Sequence, residues 1–180
     1  MKFRYLLLTF TLAWSVHPGA RAASDDTWKD ISNVGVVSLI GTALIMPATR
    51  EDWEGLGQAA YSIGSATAAA QIGKALVHEE RPNNKDNNSF PSGHTANAFA
   101  SATTLHRRYG WEIGLPAYAM ATLTGVARER AREHHWYDVV AGAAIGGVSG
   151  WFFTDAFNDK VRLTPWVDST GAGVAVSMRW

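Results

Sequence analysis

The sequence predicts a mostly α-helical bundle of about five helices, followed by a short C-terminal β-hairpin, within one domain over residues 23–180. Three observations support this prediction. Five long segments are rich in apolar and small residues, polar turn residues separate them, and the last residues alternate in polarity. A chain of 180 residues can bury a core without disulfides, and this one has no cysteine. Thiol chemistry and thiolate metal sites are therefore excluded.

The first 22 residues have the composition of a secretory signal peptide. Lys2 and Arg4 precede an apolar run over residues 5–16, and the Ala-Arg-Ala sequence at 20–22 offers small residues for cleavage. We therefore expect an exported protein that begins near Ala23 and resides in the periplasm or cell envelope of a Gram-negative-type bacterium. A retained membrane anchor is the alternative, but the run is shorter than a bilayer span.

The charge balance argues against a nucleic-acid partner. The chain has 16 basic and 16 acidic residues, and cleavage after residue 22 would remove three basic residues and no acid, which leaves a net charge of −3. Proteins that bind nucleic acids through the phosphate backbone need a basic surface. We expect a phosphorylated small molecule or a lipid head group as the partner instead.

Five segments are predicted to be helices. The first is apolar and is expected to end at Pro47, while the fourth carries Pro116 in its first turns, where proline is tolerated. A polar loop over residues 82–89 separates the second helix from the third. The predicted helices cover residues 31–46, 55 to about 77, 92–108, 112 to about 127, and 136 to about 157.

The C-terminal residues are predicted to form a hairpin at about 161–180. Segments 161–168 and 173–180 flank a turn at 169–172, and the second segment alternates with period two. The final residue, Trp180, resembles the end of an outer-membrane strand, but a single hairpin cannot close a barrel. We therefore expect this hairpin to pack against the bundle.

Membrane embedding is left open by the sequence. The uncharged runs are short or only weakly apolar, and the mean hydropathy is −0.09, which favours a soluble or peripheral bundle over an embedded one. Gly142, Gly146 and Gly150 lie on one face of the last helix, where they permit close helix contact in either setting.

Two motifs in the middle of the chain could bind a phosphate group. Lys74 and Arg81 are seven residues apart, or two helical turns, so both cations can face the same way. A Pro-Ser-Gly-His string at 91–94 opens a helix, with Ser92 as its N-cap and Gly93 allowing close approach. Free N–H groups and the helix dipole then favour an anion beside His94. Taken alone, the cation pair would be better explained as a solvated surface, and the Pro-Ser-Gly-His string as an ordinary helix cap followed by a surface histidine.

A third motif contains Arg128, His134 and Asp138. Arg128 and His134 are six residues apart and would face different sides of one helix, so we expect a helix to end near Ala127 and another to start near His134. His134 and Asp138 would then share a face, and the carboxylate could hold one imidazole nitrogen while the other attacks. The competing candidates, which fit the spacing less well, are His135, Arg130 and Arg132.

The same His and Asp side chains could alternatively bind a metal ion. Three nearby cations would repel a dication, and the sequence has no His-Glu-x-x-His or cysteine motif. We therefore expect no metal at His94, His134 and Asp138, and no cofactor.

Together the three motifs resemble the signature of the type 2 phosphatidic acid phosphatase superfamily, which includes bacterial acid phosphatases, lipid phosphatases and vanadium haloperoxidases. Lys74, six residues and Arg81-Pro82 match its first part, and Pro-Ser-Gly-His its second. Arg128, five residues, His134, three residues and Asp138 match its third. Ala127 departs from the family, which usually has serine there. The resemblance covers roughly residues 55–155.

The resemblance implies metal-independent hydrolysis of a phosphomonoester or pyrophosphate. His134 would form a phosphohistidine, Asp138 would orient it, and His94 would protonate the leaving group and then activate water. The resemblance also implies that the phosphoryl oxygens are held by Lys74, Arg81, Ser92, Gly93 and Arg128. A lipid phosphate of the envelope is the expected substrate. A vanadate-dependent haloperoxidase and a non-enzymatic envelope protein that binds anions are the alternatives.

Overall fold

The computed structural model describes residues 23–155, 161–168 and 171–178, and over these residues the protein is a bundle of five helices followed by a two-stranded hairpin. The mostly α-helical class is therefore confirmed, while the predicted signal peptide lies outside the described residues. The elements are α1 Asp25–Thr49, α2 Trp53–Leu76, α3 Gly93–Tyr109, α4 Trp111–Arg130, α5 Trp136–Phe153, β1 Val161–Asp168 and β2 Gly171–Met178.

Helix ends differ from the sequence prediction where local caps decide them. α1 begins six residues earlier than expected because Ser24 caps it and accepts a hydrogen bond from the backbone N–H of Thr27 at 3.2 Å. Pro47 is buried inside α1 and does not end it. α4 continues to Arg130, beyond the expected end near Ala127, and α5 ends at Phe153.

α3 lies at the centre of the bundle and contacts the other four helices. This position suits the sequence of residues 95–104, because most side chains there are small enough to be enclosed on several sides. Its buried residues include Ala96, Ala98, Ala100, Ser101, Ala102, Thr103 and Thr104.

α5 approaches α3 through the glycine face that the sequence indicates. A Cβ added at Gly146 would lie 2.7 Å from the backbone nitrogen of Ala100, and one at Gly150 would lie 2.6 Å from Cβ of Thr103. Gly142 is packed in the same way against the backbone of Ser92. Backbone contact of this kind leaves no room for any side chain, so these glycines set how close the two helices lie.

Large apolar side chains lie mainly on the outside of the bundle, while small ones fill its interior. One described helix, α1, is long and apolar enough by length and composition to cross a membrane. Tryptophans are exposed near both ends of the helices, with Trp53 and Trp111 at one end and Trp136 at the other. Further exposed apolar residues on the helices are Val34, Val37, Ile45, Ile72, Leu115, Leu123, Val140 and Val148.

The hairpin is present, with a shorter connection than expected. β1 and β2 pair antiparallel, with Asp168 opposite Gly171, so β2 begins two residues before the predicted position. β1 contacts α5, while the side chains of Trp166, Val174 and Val176 are exposed. Trp180 lies outside the described residues.

Candidate active site

The predicted site residues converge at one end of the bundle because successive helices run in opposite directions. Lys74 lies in the last turn of α2, His94 in the first turn of α3 and Arg128 in the last turn of α4. Together they line a cavity of about 340 Å³. The sequence-predicted residues on its walls are Lys74, Arg81, Gly93, His94, Arg128 and His134, while the other two, Ser92 and Asp138, are buried beside it.

His134 is held by the loop that precedes α3. Its side chain is 2% exposed, and Nδ1 donates a hydrogen bond to the backbone carbonyl of Ser89 at 2.7 Å. Burial, together with the positive charges of Arg128, Arg81 and Lys74, lowers the pKa of His134 to about 2. The imidazole is therefore neutral at physiological pH, with its proton on Nδ1, and the lone pair of Nε2 is free for chemistry.

Asp138 does not contact His134 in the expected way. The shortest distance between its carboxylate and Nδ1 of His134 is 3.7 Å, too long for a hydrogen bond. Oδ2 of Asp138 accepts instead from the hydroxyl of Ser89 at 2.6 Å and from the backbone N–H of His135 at 2.8 Å. Ser89 therefore connects the two residues, with its hydroxyl on Asp138 and its carbonyl on His134.

The predicted break between two helices before His134 is present, but His134 does not share a helix with Asp138 as expected. α4 runs through Arg128 to Arg130, and α5 begins only at Trp136 with His135 as its N-cap. His134 lies in the connecting turn, which reverses the chain at Arg132, where φ is 56°. The turn, rather than a shared helix face, brings His134 beside Arg128.

The two arginines are tied together by Glu133, which the sequence analysis missed. Oε2 of Glu133 accepts from Nη1 of Arg81 at 2.5 Å and from Nη2 of Arg128 at 3.2 Å. Arg81 also donates from Nε to Asp86 at 2.7 Å, so its guanidinium is fixed on two sides. In the sequence, Glu133 could be noticed only as an acidic residue directly before His134, and the tertiary fold is needed to show which cations it pairs with.

Lys74 provides the third cation. Its ammonium donates to the backbone carbonyl of Asn88 at 2.6 Å, within the loop that also contains Ser89. Burial, followed by repulsion from Arg81, lowers the pKa of Lys74 to about 8. Lys74 is thus charged at neutral pH, but it loses its charge over a range in which an arginine would keep it.

The start of α3 offers backbone N–H groups to the cavity. Ser92 is the N-cap, but its own N–H donates to the carbonyl of Asp138 at 3.0 Å, and it is fully buried. The expected phosphate contact from the Ser92 backbone is therefore wrong. The geometry at Gly93 leaves room for the expected close approach of a phosphate, because Gly93 lines the cavity and no atom lies within 4 Å of the position a Cβ would take. Among the described residues, nothing accepts from the N–H of Gly93 or His94.

His94 contacts α1, a helix to which the sequence analysis assigned no part in the site. Its Nε2 hydrogen-bonds to Oδ1 of Asn33 at 2.9 Å. Burial is the main reason that the pKa of His94 is lowered to about 4. The polar pair at residues 32–33 in an otherwise apolar segment was the signal in the sequence.

The trio considered as a metal site in the sequence analysis does not form a cluster. Among the residues that the structure describes, the one group of acids and imidazoles with suitably close ligand atoms is Glu79, His135 and Asp138. The carboxylate of Asp138 is already hydrogen-bonded to the side chains of Ser89 and His135, and Glu79 accepts a hydrogen bond from the hydroxyl of Tyr137. His94 and His134 belong to the cavity instead.

Comparison with known proteins identifies the family. Residues 55–162 match the model of the PAP2 superfamily. The chain belongs to this superfamily. The resemblance drawn from the three motifs is thereby confirmed.

Two curated relatives are similar over most of this chain. One is a lipid A 1-phosphatase of Porphyromonas gingivalis, 40% identical over 131 residues, which is 65% of this chain but 29% of that protein. The other is a lipid A 4'-phosphatase of Helicobacter pylori, 28% identical over 168 residues, or 82% of this chain and 78% of that protein. The chain thus matches less than a third of the length of the first relative.

Two solved structures share the fold. Aquifex aeolicus LpxE superposes with a TM-score of 0.62 and 25% identity, covering 72% of this chain and 84% of that one. A transmembrane PAP2-type phosphatidylglycerolphosphate phosphatase from Bacillus subtilis superposes with a TM-score of 0.58 and 22% identity, covering 72% of this chain and 74% of the other.

Proposed function

We propose that this protein is a phosphatase that hydrolyses the phosphate of an envelope glycolipid of the lipid A type, without a metal ion, through a phosphohistidine. The observation that carries the proposal is the state of His134. Its imidazole is neutral, its Nδ1 proton is held by the Ser89 carbonyl, and it lines a cavity with three cations. A neutral, oriented imidazole beside a cationic anion site is suited to attack a phosphoryl group.

The first step transfers the phosphoryl group to the protein. Nε2 of His134 forms a bond to phosphorus while the ester P–O bond breaks, and His94 gives a proton to the departing oxygen. Lys74, Arg81 and Arg128 hold the phosphoryl oxygens and stabilise the negative charge on them. The N–H groups of Gly93 and His94 add donors from the start of α3.

The second step releases phosphate. His94, now neutral, takes a proton from water as the water oxygen attacks phosphorus and the P–N bond breaks. His134 returns to its neutral form, and His94 is again protonated. Asp138 supports both steps through Ser89, because it fixes the hydroxyl of the residue whose carbonyl holds His134.

The relatives and the cavity support a lipid phosphate as substrate. Both curated relatives are named as lipid A phosphatases. The cavity is larger than a phosphate group, and besides the cations its walls include the apolar Val36, Ile40 and Ala70 and the polar Asn97. We therefore place the phosphate among the cations and the rest of the head group along these walls.

The exposed apolar surface supports action at a membrane. The helices present large aliphatic side chains outward, and exposed tryptophans lie near both ends of the bundle, as at a lipid boundary. We propose export to the envelope and contact of this surface with lipid. Membrane fractions treated with alkaline carbonate test this: release identifies a peripheral protein, retention an embedded one, and recovery in the soluble fraction before treatment contradicts lipid contact.

The test of the reaction is a phosphate-release assay with purified wild type, His134→Ala and a matched His78→Ala control, since His78 is exposed and does not line the cavity. We expect wild type and the control to cleave a lipid A-type monophosphate and p-nitrophenyl phosphate, and His134→Ala to cleave neither. A ³²P-labelled substrate, quenched at alkaline pH where phosphohistidine survives, should label wild type only.

Two results would overturn the proposal. One is equal labelling of wild type and His134→Ala. The other is loss of activity in EDTA with recovery on adding zinc. Bromide oxidation dependent on added vanadate, without phosphate release, would identify a haloperoxidase instead.

A further inference from the structure

α1 lies before the residues that match the family, yet its middle turns form part of the cavity wall. Asn33 reaches His94, and Val36 and Ile40 line the cavity beside it. The hydroxyl of buried Ser32 lies 3.5 Å from Nη1 of Arg128. The family match begins only at residue 55, so the α1 residues that make these contacts lie outside its matched part.

The contact with Asn33 distinguishes the two nitrogens of His94. Oδ1 of Asn33 is an acceptor, so the Nε2 of His94 that lies 2.9 Å from it carries a proton and donates it. No described residue hydrogen-bonds to Nδ1 of His94. Nδ1 is therefore the nitrogen of His94 that is available to exchange a proton with a bound substrate.

We propose that Asn33 is a positioning residue for His94: its amide oxygen holds Nε2–H, so Nδ1 is the atom that exchanges protons during the reaction. This inference rests on the proposed phosphatase function. When the ester P–O bond breaks, Nδ1–H of the imidazolium passes its proton to the leaving oxygen. In the second step Nδ1 takes a proton from the attacking water, while Nε2–H stays on Asn33 throughout.

An amide is suited to this position because it orients the ring without fixing its charge. The charged groups that face His94 from the surrounding elements are Lys74 on α2, Arg128 on α4, and Arg81 and Glu133 from the loops. The three cations oppose protonation of His94, and a phosphate bound among them favours it. A carboxylate in place of Asn33 would instead stabilise the imidazolium and so oppose the transfer of its proton.

Two substitutions separate positioning from packing. Asn33→Leu removes the acceptor and keeps a side chain of similar size, while Asn33→Asp keeps the acceptor and adds a charge. Thr42→Val is the matched control on the same helix, because the exposed Thr42 hydrogen-bonds only within α1. The readouts are kcat/KM against pH for a lipid monophosphate, whose alkoxide leaves poorly, and for p-nitrophenyl phosphate, whose phenolate leaves readily.

We expect Asn33→Leu to lower kcat/KM for the lipid phosphate roughly 10- to 100-fold, part of the usual value of general acid–base help, and to affect p-nitrophenyl phosphate much less. In the pH profile of kcat/KM, Asn33→Asp should shift the transition that reports His94 to higher pH by about 1 unit or more, because a nearby carboxylate favours the imidazolium. Thr42→Val should behave as wild type.

The inference is overturned if Asn33→Leu lowers kcat/KM equally for both substrates, or if Asn33→Asp leaves the pH profile of kcat/KM unchanged. If Asn33→Leu does not fold, as judged by its melting temperature, the profile of the near-isosteric Asn33→Asp decides alone. A wild-type protein that releases phosphate from neither substrate contradicts the proposed function instead, so the two failures are distinguishable.

Discussion

Replacing Gly146 with alanine tests the close contact between α3 and α5. The new Cβ would lie 2.7 Å from the backbone nitrogen of Ala100 and closer still to the carbonyl oxygen of Ala96. Comfortable contact of a carbon with such atoms needs about 3.5 Å, so the two helices must separate by about 1 Å. Neither obstructing atom belongs to a side chain that could turn away. Overpacking of this kind costs about 1–3 kcal/mol of unfolding free energy.

The neighbouring Gly147 provides the matched control, since no atom lies within 4 Å of its added Cβ. Gly147→Ala exchanges glycine for a better helix former and should stabilise by about 0.5–1 kcal/mol. In thermal unfolding followed by tryptophan fluorescence, we expect Gly146→Ala to melt roughly 2–12 °C lower than wild type and Gly147→Ala slightly higher.

Activity should follow the same order. α3 carries His94 and α5 carries Asp138, so forcing the helices apart disturbs the site although Gly146 does not line it. We expect kcat/KM to fall for Gly146→Ala and to stay unchanged for Gly147→Ala. Two variants with the same melting temperature would refute the backbone contact between α3 and α5.

Two further predictions concern charges of the site. Because burial lowers the pKa of Lys74 to about 8, the wild-type KM should rise between pH 7 and pH 9 as Lys74 loses its charge. Lys74→Arg should flatten that rise, while the control Lys85→Arg should leave it as in wild type. An equal rise of KM in Lys74→Arg would contradict this prediction. Glu133→Ala leaves two largely buried guanidinium groups without their shared partner and should lower the unfolding free energy by about 3–5 kcal/mol. The control Glu80→Ala, on the surface, should change it little. Equal melting temperatures of the two variants would contradict this prediction.

The sequence was sufficient to predict the helices and the gathering of the motif residues. Apolar and small residues in long runs define the helices, and antiparallel neighbours bring alternate helix ends together. Six of the eight predicted site residues line one cavity. Helix ends were less accurate, because a cap such as Ser24 outweighs the apolar pattern that follows it.

The supporting contacts could not be predicted, since they join distant parts of the chain. Ser89 meets His134 across 45 residues, and Asn33 meets His94 across 61. Spacing along one helix suggested a direct bond between His134 and Asp138, but the turn at Arg132 places His134 before the helix. A spacing argument holds only where both residues belong to one element.

The position of Glu133 has a consequence for product release. A pocket of three uncompensated cations would retain inorganic phosphate after the ester is cleaved, and turnover would then be limited by its departure. Glu133 places one negative charge against Arg81 and Arg128, and Asp86 places a second against Arg81, so the positive charge that faces a bound phosphate is partly compensated. The attraction for a phosphate dianion is thereby weaker than that of three unpaired cations. The carboxylate that orders the arginines should therefore also favour the departure of inorganic phosphate, the product of the proposed reaction.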